Sequence, residues 1–171
     1  MGEVIMGVSA VQIPAAGHVD DRFQAFYARH FASTARLARL LTGDAAYADD
    51  LAQDAFVRVY RYASTAERPI ENPAAFLHTT TVNLCHSWLR QRQRAELRMT
   101  RHGPSETSLT EGERELDHSL RRLPYKQRAV VVLRYWLGLS EREIATALGC
   151  RPGTVKSRHA RALRALRKEL S

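Results

Sequence analysis

The chain has 171 residues, with 26 Lys or Arg against 18 Asp or Glu and a formal net charge of +8. That length allows one medium domain or two small ones, and the charge leans toward an anionic partner. Seven scattered histidines and two cysteines, with no H-E-x-x-H, no G-x-S-x-G and no Gly-rich phosphate loop, argue against catalysis, a metal or a cofactor.

The first 19 residues are fairly apolar but lack a basic n-region, so no signal peptide is expected, and residues 1–19 read as a disordered tail. No apolar run approaches the length of a bilayer span. A soluble, cytoplasmic protein without membrane insertion is the expectation. From residue 20, Phe23, Phe26, Tyr27, Phe31, Leu37, Leu40 and Leu41 keep a helical beat up to a stop at Thr42 to Asp44. Asp44 can cap the next helix, in which Leu51, Ala55, Phe56, Val59 and Tyr60 recur at spacings of three and four. Residues 63–73, ASTAERPIENP, read as a loop. Pro73 suits the first turn of a further helix that runs to about Arg94.

Residues 95–114 hold Gly103-Pro104 and many Ser and Thr, and their few large apolar side chains make them a linker. A second lobe, 115–171, opens with Leu116, Leu120 and Leu123 on one helix, and Lys126 to Trp136 form the next. The expected fold is all-α, two small helical domains joined by a flexible linker. Cys85 and Cys150 read as packed, reduced thiols.

Residues 140–170 carry the sharpest local signal. Ser140-Glu141-Arg142-Glu143 fits a capping box, Gly149 a helix stop, and Pro152 a new helix start. A short capped helix, a tight turn and a basic helix are the parts of a helix-turn-helix. With Val155 set to zero, Leu166, Leu170 and Leu163 fall at about 20°, 60° and 80° round the final helix, and the cations take the rest. Seven Lys or Arg lie between Arg151 and Lys168 without one acid, whereas a merely solvated face mixes both signs. The excess is also local: residues 115–171 hold 13 basic and 5 acidic side chains, and the first 114 residues hold 13 of each. On this logic Thr154, Lys156, Ser157, Ala160 and Arg161 face bases or the groove edge, and Arg158, Arg164 and Lys168 steady phosphates.

A helix-turn-helix does not say why DNA is bound, and a dimeric regulator of duplex operators would also use one. Three further runs decide between purposes: LLTGDAAYADDLAQDAFVRVYRY (40–62), NPAAFLHTTTVNLCHSWLRQRQR (72–94) and LRRLPYKQRAVVVLRYWLGLSEREIA (120–145). Together they resemble a bacterial RNA polymerase sigma factor of the extracytoplasmic-function (ECF) type, which keeps conserved regions 2 and 4. The resemblance assigns 20–94 to region 2 and 115–171 to region 4. It implies that Asp50, Leu51, Gln53, Asp54 and Phe56 dock on the β′ clamp helices of core polymerase, and that the second lobe meets the β flap. It further implies that Asn83 helps hold a base flipped from the promoter's −10 element, with Arg90, Arg92 and Arg94 on phosphates nearby. Thr154, Lys156, Ser157, Arg158, Ala160, Arg161 and Arg164 would read the −35 element. An anti-sigma factor is a further partner that such proteins can have. Phe76 and Trp88 could stack on bases, but single aromatics on an amphipathic helix more often pack in the core, and core packing is the expectation for both.

Overall fold

A computed structural model describes residues 21–66, 68–96 and 111–169. The tail 1–19 and the central part of the expected linker, 97–110, lie outside the described residues. Seven helices follow in order: α1 (Asp21–Thr42), α2 (Ala48–Thr65), α3 (Pro73–Glu96), α4 (Glu111–Arg122), α5 (Tyr125–Tyr135), α6 (Glu141–Ala147) and α7 (Pro152–Glu169). No strand occurs among the described residues. Helices α3 and α4 reach into the segment read as linker from both ends, and α2 runs on to Thr65, three residues into the expected loop.

Helices α1, α2 and α3 pack on one another around Leu37, Leu41, Phe56, Val59, Leu77 and Cys85, all essentially without solvent exposure. Phe56 is the hub. Phe23, Phe26, Tyr27 and Phe31 all meet its ring, at 6.3, 5.8, 4.8 and 6.2 Å between centroids. Aromatic residues on α1 at helical spacing therefore grip one aromatic on α2. Helix α1 stops at Gly43, whose φ of +72° suits glycine and whose N–H donates to the Arg39 carbonyl at 2.7 Å.

Asp44 does not cap α2. That helix begins at Ala48 after Tyr47, and no side chain caps it. Instead the buried Asp44 carboxylate accepts the Ala46 N–H at 3.0 Å, closing an Asx turn, and pairs with Arg92 of α3. A carboxylate this far from water is better served by a cation than by amides alone. Asn72 does cap its helix, taking the Ala75 N–H on its Oδ1 at 2.9 Å just ahead of Pro73.

In the second lobe, α5, α6 and α7 bury Val130, Leu133, Ile144, Val155 and Ala162 against one another. Arg122 of α4 reaches Glu169 at the end of α7, at 2.7 Å. The two lobes also touch: α6 packs on α3, and α4 and α5 pack on α1. Buried apolar side chains form one continuous cluster across both.

Candidate polymerase and nucleic-acid interfaces

Helix α2 divides its residues cleanly. Asp49, Asp50, Gln53 and Asp54 are exposed, whereas Leu51 and Phe56 keep only 5% and 2% of their surface. This corrects the sequence reading for those two. Leu51 and Phe56 face the lobe's core and cannot touch a partner, so they position the acidic face rather than belong to it. Val57, 46% exposed, stands one turn beyond Asp54 and Gln53 on the same face. The sequence reading missed it, although its spacing from Gln53 and Asp54 was the available signal. Asp49 and Asp50 sit in the first turn, where a carboxylate also favours its own helix. Asp54 is a turn further on and has no such local reason.

Helix α3 carries Asn83, Arg90 and Arg94 on one exposed stripe. At 100° per residue both arginines fall within about 20° of Asn83, so one strand can run along all three. Arg92 lies on the opposite side. It pairs with Asp44, and its guanidinium sits 5.0 Å from the centre of the Trp88 ring. The guanidinium expected on a phosphate is thus engaged inside the protein. Trp88 is packed between Arg92 and Tyr47, and Phe76 stacks on Tyr62 at 4.8 Å, both half-buried. The core-packing alternative holds for Trp88. Phe76 and the half-exposed Tyr62 form a ring pair at the edge of the surface.

The helix-turn-helix forms as its local chemistry requires. Ser140 Oγ accepts the Glu143 N–H at 3.3 Å while Glu143 accepts the Ser140 N–H at 2.7 Å. The Ser140 hydroxyl also donates to the Glu143 carboxylate at 2.6 Å, and this bond, with that from the Ser140 N–H, holds the carboxyl below the usual range. Gly149 closes the turn with φ +59°, and α7 starts at Pro152. On α7, Val155 and Ala162 are buried and Leu163 and Leu166 half-buried, whereas Lys156, Ala160, Arg161 and Arg164 are exposed. Leu170, expected on the apolar stripe, lies outside the described residues. Thr154 and Ser157 are half-buried, and Ser157 donates to the Thr154 carbonyl at 3.0 Å. Arg158 leans back on the Cys150 sulfur at 3.5 Å, at the turn rather than out in solvent. Cys150 is a free, half-buried thiol, and Cys85 is fully buried, which pushes its thiol up to about 12.

Sequence reasoning overlooked the residues between the lobes. Arg128 has only 7% of its surface exposed, and its guanidinium donates to the carbonyls of Leu41 (2.7 Å), Arg121 (2.9 Å) and Leu123 (3.2 Å). Burial lowers its pKa, and nearby Tyr125 opposes that. Tyr125 donates to the Val82 carbonyl at 2.6 Å and stacks on His86. The signal was present: Arg128 lies on the same helical face as Val131 and Val132, where a charge needs a partner.

Comparison with known proteins agrees in both lobes. The family model described as Sigma-70 region 2 matches residues 26–95, and that described as Sigma-70, region 4 matches residues 113–166. The RNA polymerase sigma-E factor of Streptomyces avermitilis is 39% identical, over 79% of this chain and 77% of its own. The ECF RNA polymerase sigma factor SigM of Mycobacterium tuberculosis is 35% identical, over 90% of this chain and 81% of its own. Among solved structures, Bartonella quintana RpoE in complex with the anti-sigma factor NepR shares the fold with a TM-score of 0.72 and 24% identity, over 88% and 98% of the two chains. CnrH, solved with the cytosolic domain of CnrY, follows at 0.66 and 26%, over 87% of each chain.

Proposed function

The chain belongs to the sigma-70 family, as an ECF RNA polymerase sigma factor acting in transcription initiation, and from that premise we propose how its surfaces divide the work. The acidic face of α2, Asp50, Gln53 and Asp54 with Val57 one turn beyond, docks on a basic coiled coil of core polymerase. Asn83 offers both an amide donor and an acceptor to the edge of a base splayed from the −10 element. Arg90 and Arg94 hold phosphates beside it. Lys156, Ala160, Arg161 and Arg164 on α7 enter the major groove of the −35 element, and Thr154 and Ser157 lie at its edge. The reading gives the protein no catalytic step of its own and places it with polymerase in the cytoplasm.

The observation that carries the proposal is the opposition of two exposed helical faces, acidic on α2 and cationic on α7. A dimeric operator-binding regulator would use the second and leave the first without a task. The solved complex of RpoE with NepR favours an anti-sigma partner for this chain as well. Run-off transcription with core polymerase on a genomic promoter library tests the reading: the mixture starts transcripts at specific sites, and neither component alone does. Failure to bind core polymerase would sink it. Asn83→Ala lowers strand opening roughly 5- to 100-fold, the cost of a lost buried hydrogen bond, and spares duplex binding. Equal loss in both assays removes Asn83 from the flipped-base site.

A further inference from the structure

One buried carboxylate organises the corner that leads into the acidic face of α2. Asp44 Oδ1 accepts the Ala46 N–H at 3.0 Å, which turns the chain into Tyr47 at the N-cap. Asp44 Oδ2 pairs with Arg92, whose guanidinium lies 5.0 Å from the centre of the Trp88 ring. That ring in turn lies 5.3 Å from the ring of Tyr47. The backbone and the side chain of Tyr47 are therefore set by the same acid. The far end of the chain of contacts is open: Asp44 is buried, Arg92 and Trp88 are half-buried, and Tyr47 keeps 49% of its surface.

Stability alone would select another residue at position 47. Ser, Thr, Asn or Asp at an N-cap accepts an orphan amide of the first turn, and the Tyr47 side chain makes no such bond. What it offers instead is a pre-set aromatic ring beside carboxylates. From Tyr47, Asp50, Asp54 and Val57 follow at steps of three, four and three residues, so all four run along one side of α2, and all are exposed. On α3, Trp88 falls about 140° from Asn83, which places this corner away from the stripe assigned to the −10 strand. The neighbouring carboxylates would repel phosphates there, whereas they favour a basic protein surface.

We propose that Tyr47 anchors the contact with core polymerase by taking a Lys or Arg side chain of the basic coiled coil against the exposed side of its ring, with Asp44, Arg92 and Trp88 as its positioning residues. The proposal rests on the docking reading of α2 and adds an aromatic anchor to it. A cation over an aromatic face is drawn by the ring's quadrupole, and Asp49 and Asp50 close by in the chain add to the attraction. Tyrosine is favoured at the centres of interfaces because a large ring loses little freedom on binding, and a ring already held by Trp88 loses less still.

The full chain carrying Tyr47→Phe, Tyr47→Leu or Tyr47→Asn is titrated with core polymerase well below its melting temperature, where every variant is folded. Tyr47→Phe should bind within about 3-fold of the wild type, because the ring is kept. Tyr47→Leu and Tyr47→Asn should bind about 5- to 30-fold more weakly. Asn can cap α2, so Tyr47→Asn should also protect the first-turn amides in hydrogen exchange while its affinity falls. Protection and affinity falling together would make Tyr47 a helix-start residue and overturn the anchor. Affinity of Tyr47→Leu or Tyr47→Asn within about 2-fold of the wild type would overturn it, as would a loss in Tyr47→Phe as large as that in Tyr47→Leu. A weaker hold of the holoenzyme on a single-stranded −10 oligonucleotide, with polymerase binding unchanged, would place the ring on DNA instead. Asp50→Lys combined with Asp54→Lys is the reference. If it binds core polymerase normally, the docking reading itself is lost; if it fails to bind while the Tyr47 variants bind normally, only the anchor is.

Discussion

Helices α3 and α7 carry the two proposed DNA faces, and they are built in opposite ways. Helix α7 buries one narrow stripe, centred on Val155 and Ala162, and leaves Lys156, Arg161 and Arg164 in solvent. Helix α3 is packed by α1 and α2 from within its lobe and by α6 from the other. Leu77, Thr81, Val82, Leu84 and Cys85 are all buried, which leaves a thin exposed stripe for Asn83, Arg90 and Arg94. Counting cations therefore overstates what α3 can offer to DNA, since Arg92 is held by Asp44. A helix at the surface can give most of its circumference to a ligand, and a helix inside a bundle cannot.

The strongest way to break that comparison is to cut into the packing of α3. Leu77 is fully buried, so Leu77→Ala should cost about 2–5 kcal/mol in chemical denaturation, and −10 recognition should fail with the fold. A loss under about 1 kcal/mol would mean that α3 is less confined than its burial indicates.

Charge gives the next contrast. Arg92→Ala leaves Asp44 buried without its cation, and about 1–3 kcal/mol of stability should go, between the values for exposed and buried pairs. The salt dependence of promoter binding should not change. Arg164→Ala should do the reverse: stability within about 0.5 kcal/mol, affinity lower for every sequence, and the log–log salt slope reduced by about 0.9. If Arg164→Ala altered sequence preference instead, it would belong on a base edge.

Smaller in effect, Ser140→Ala removes one half of the capping box. It should cost about 1 kcal/mol, and the loss should stay in the second lobe, read by hydrogen exchange in α6 and α7.

The same contrast explains what the sequence disclosed. The cap at Ser140, the turn at Gly149 and the angular segregation on α7 are set by neighbours within a few residues, so they can be read from the chain alone. Asp44 was misread as a cap because its partner, Arg92, lies 48 residues away and no local pattern links them. Leu51 and Phe56 lie on the apolar stripe with Ala55 and Val59, so their burial was legible from spacing, and a docking role for them came only from the family resemblance. Arg128 was passed over because the carbonyls it serves belong to α1 and α4, and backbone acceptors leave no mark in a sequence.

The last contrast concerns protons. Helix α3 contains His78 and His86, and both have pKa values below the ordinary histidine value. For His78 burial is the main cause, and nearby His30 adds to it while Glu143 opposes it. For His86 burial acts first, then Arg90 and Lys126. Between the ordinary value of 6.5 and the lower folded value, the unfolded chain binds more protons than the folded one. Stability therefore rises with pH across that window, is fully present above 6.5, and is lost as pH falls below it. The slope cannot exceed about 1.4 kcal/mol per pH unit for each proton. Urea denaturation at neutral pH and below pH 6 should show the loss, and His78→Gln should flatten it. A pH-independent stability would mean that His78 is not desolvated as its surroundings of His30 and Glu143 indicate.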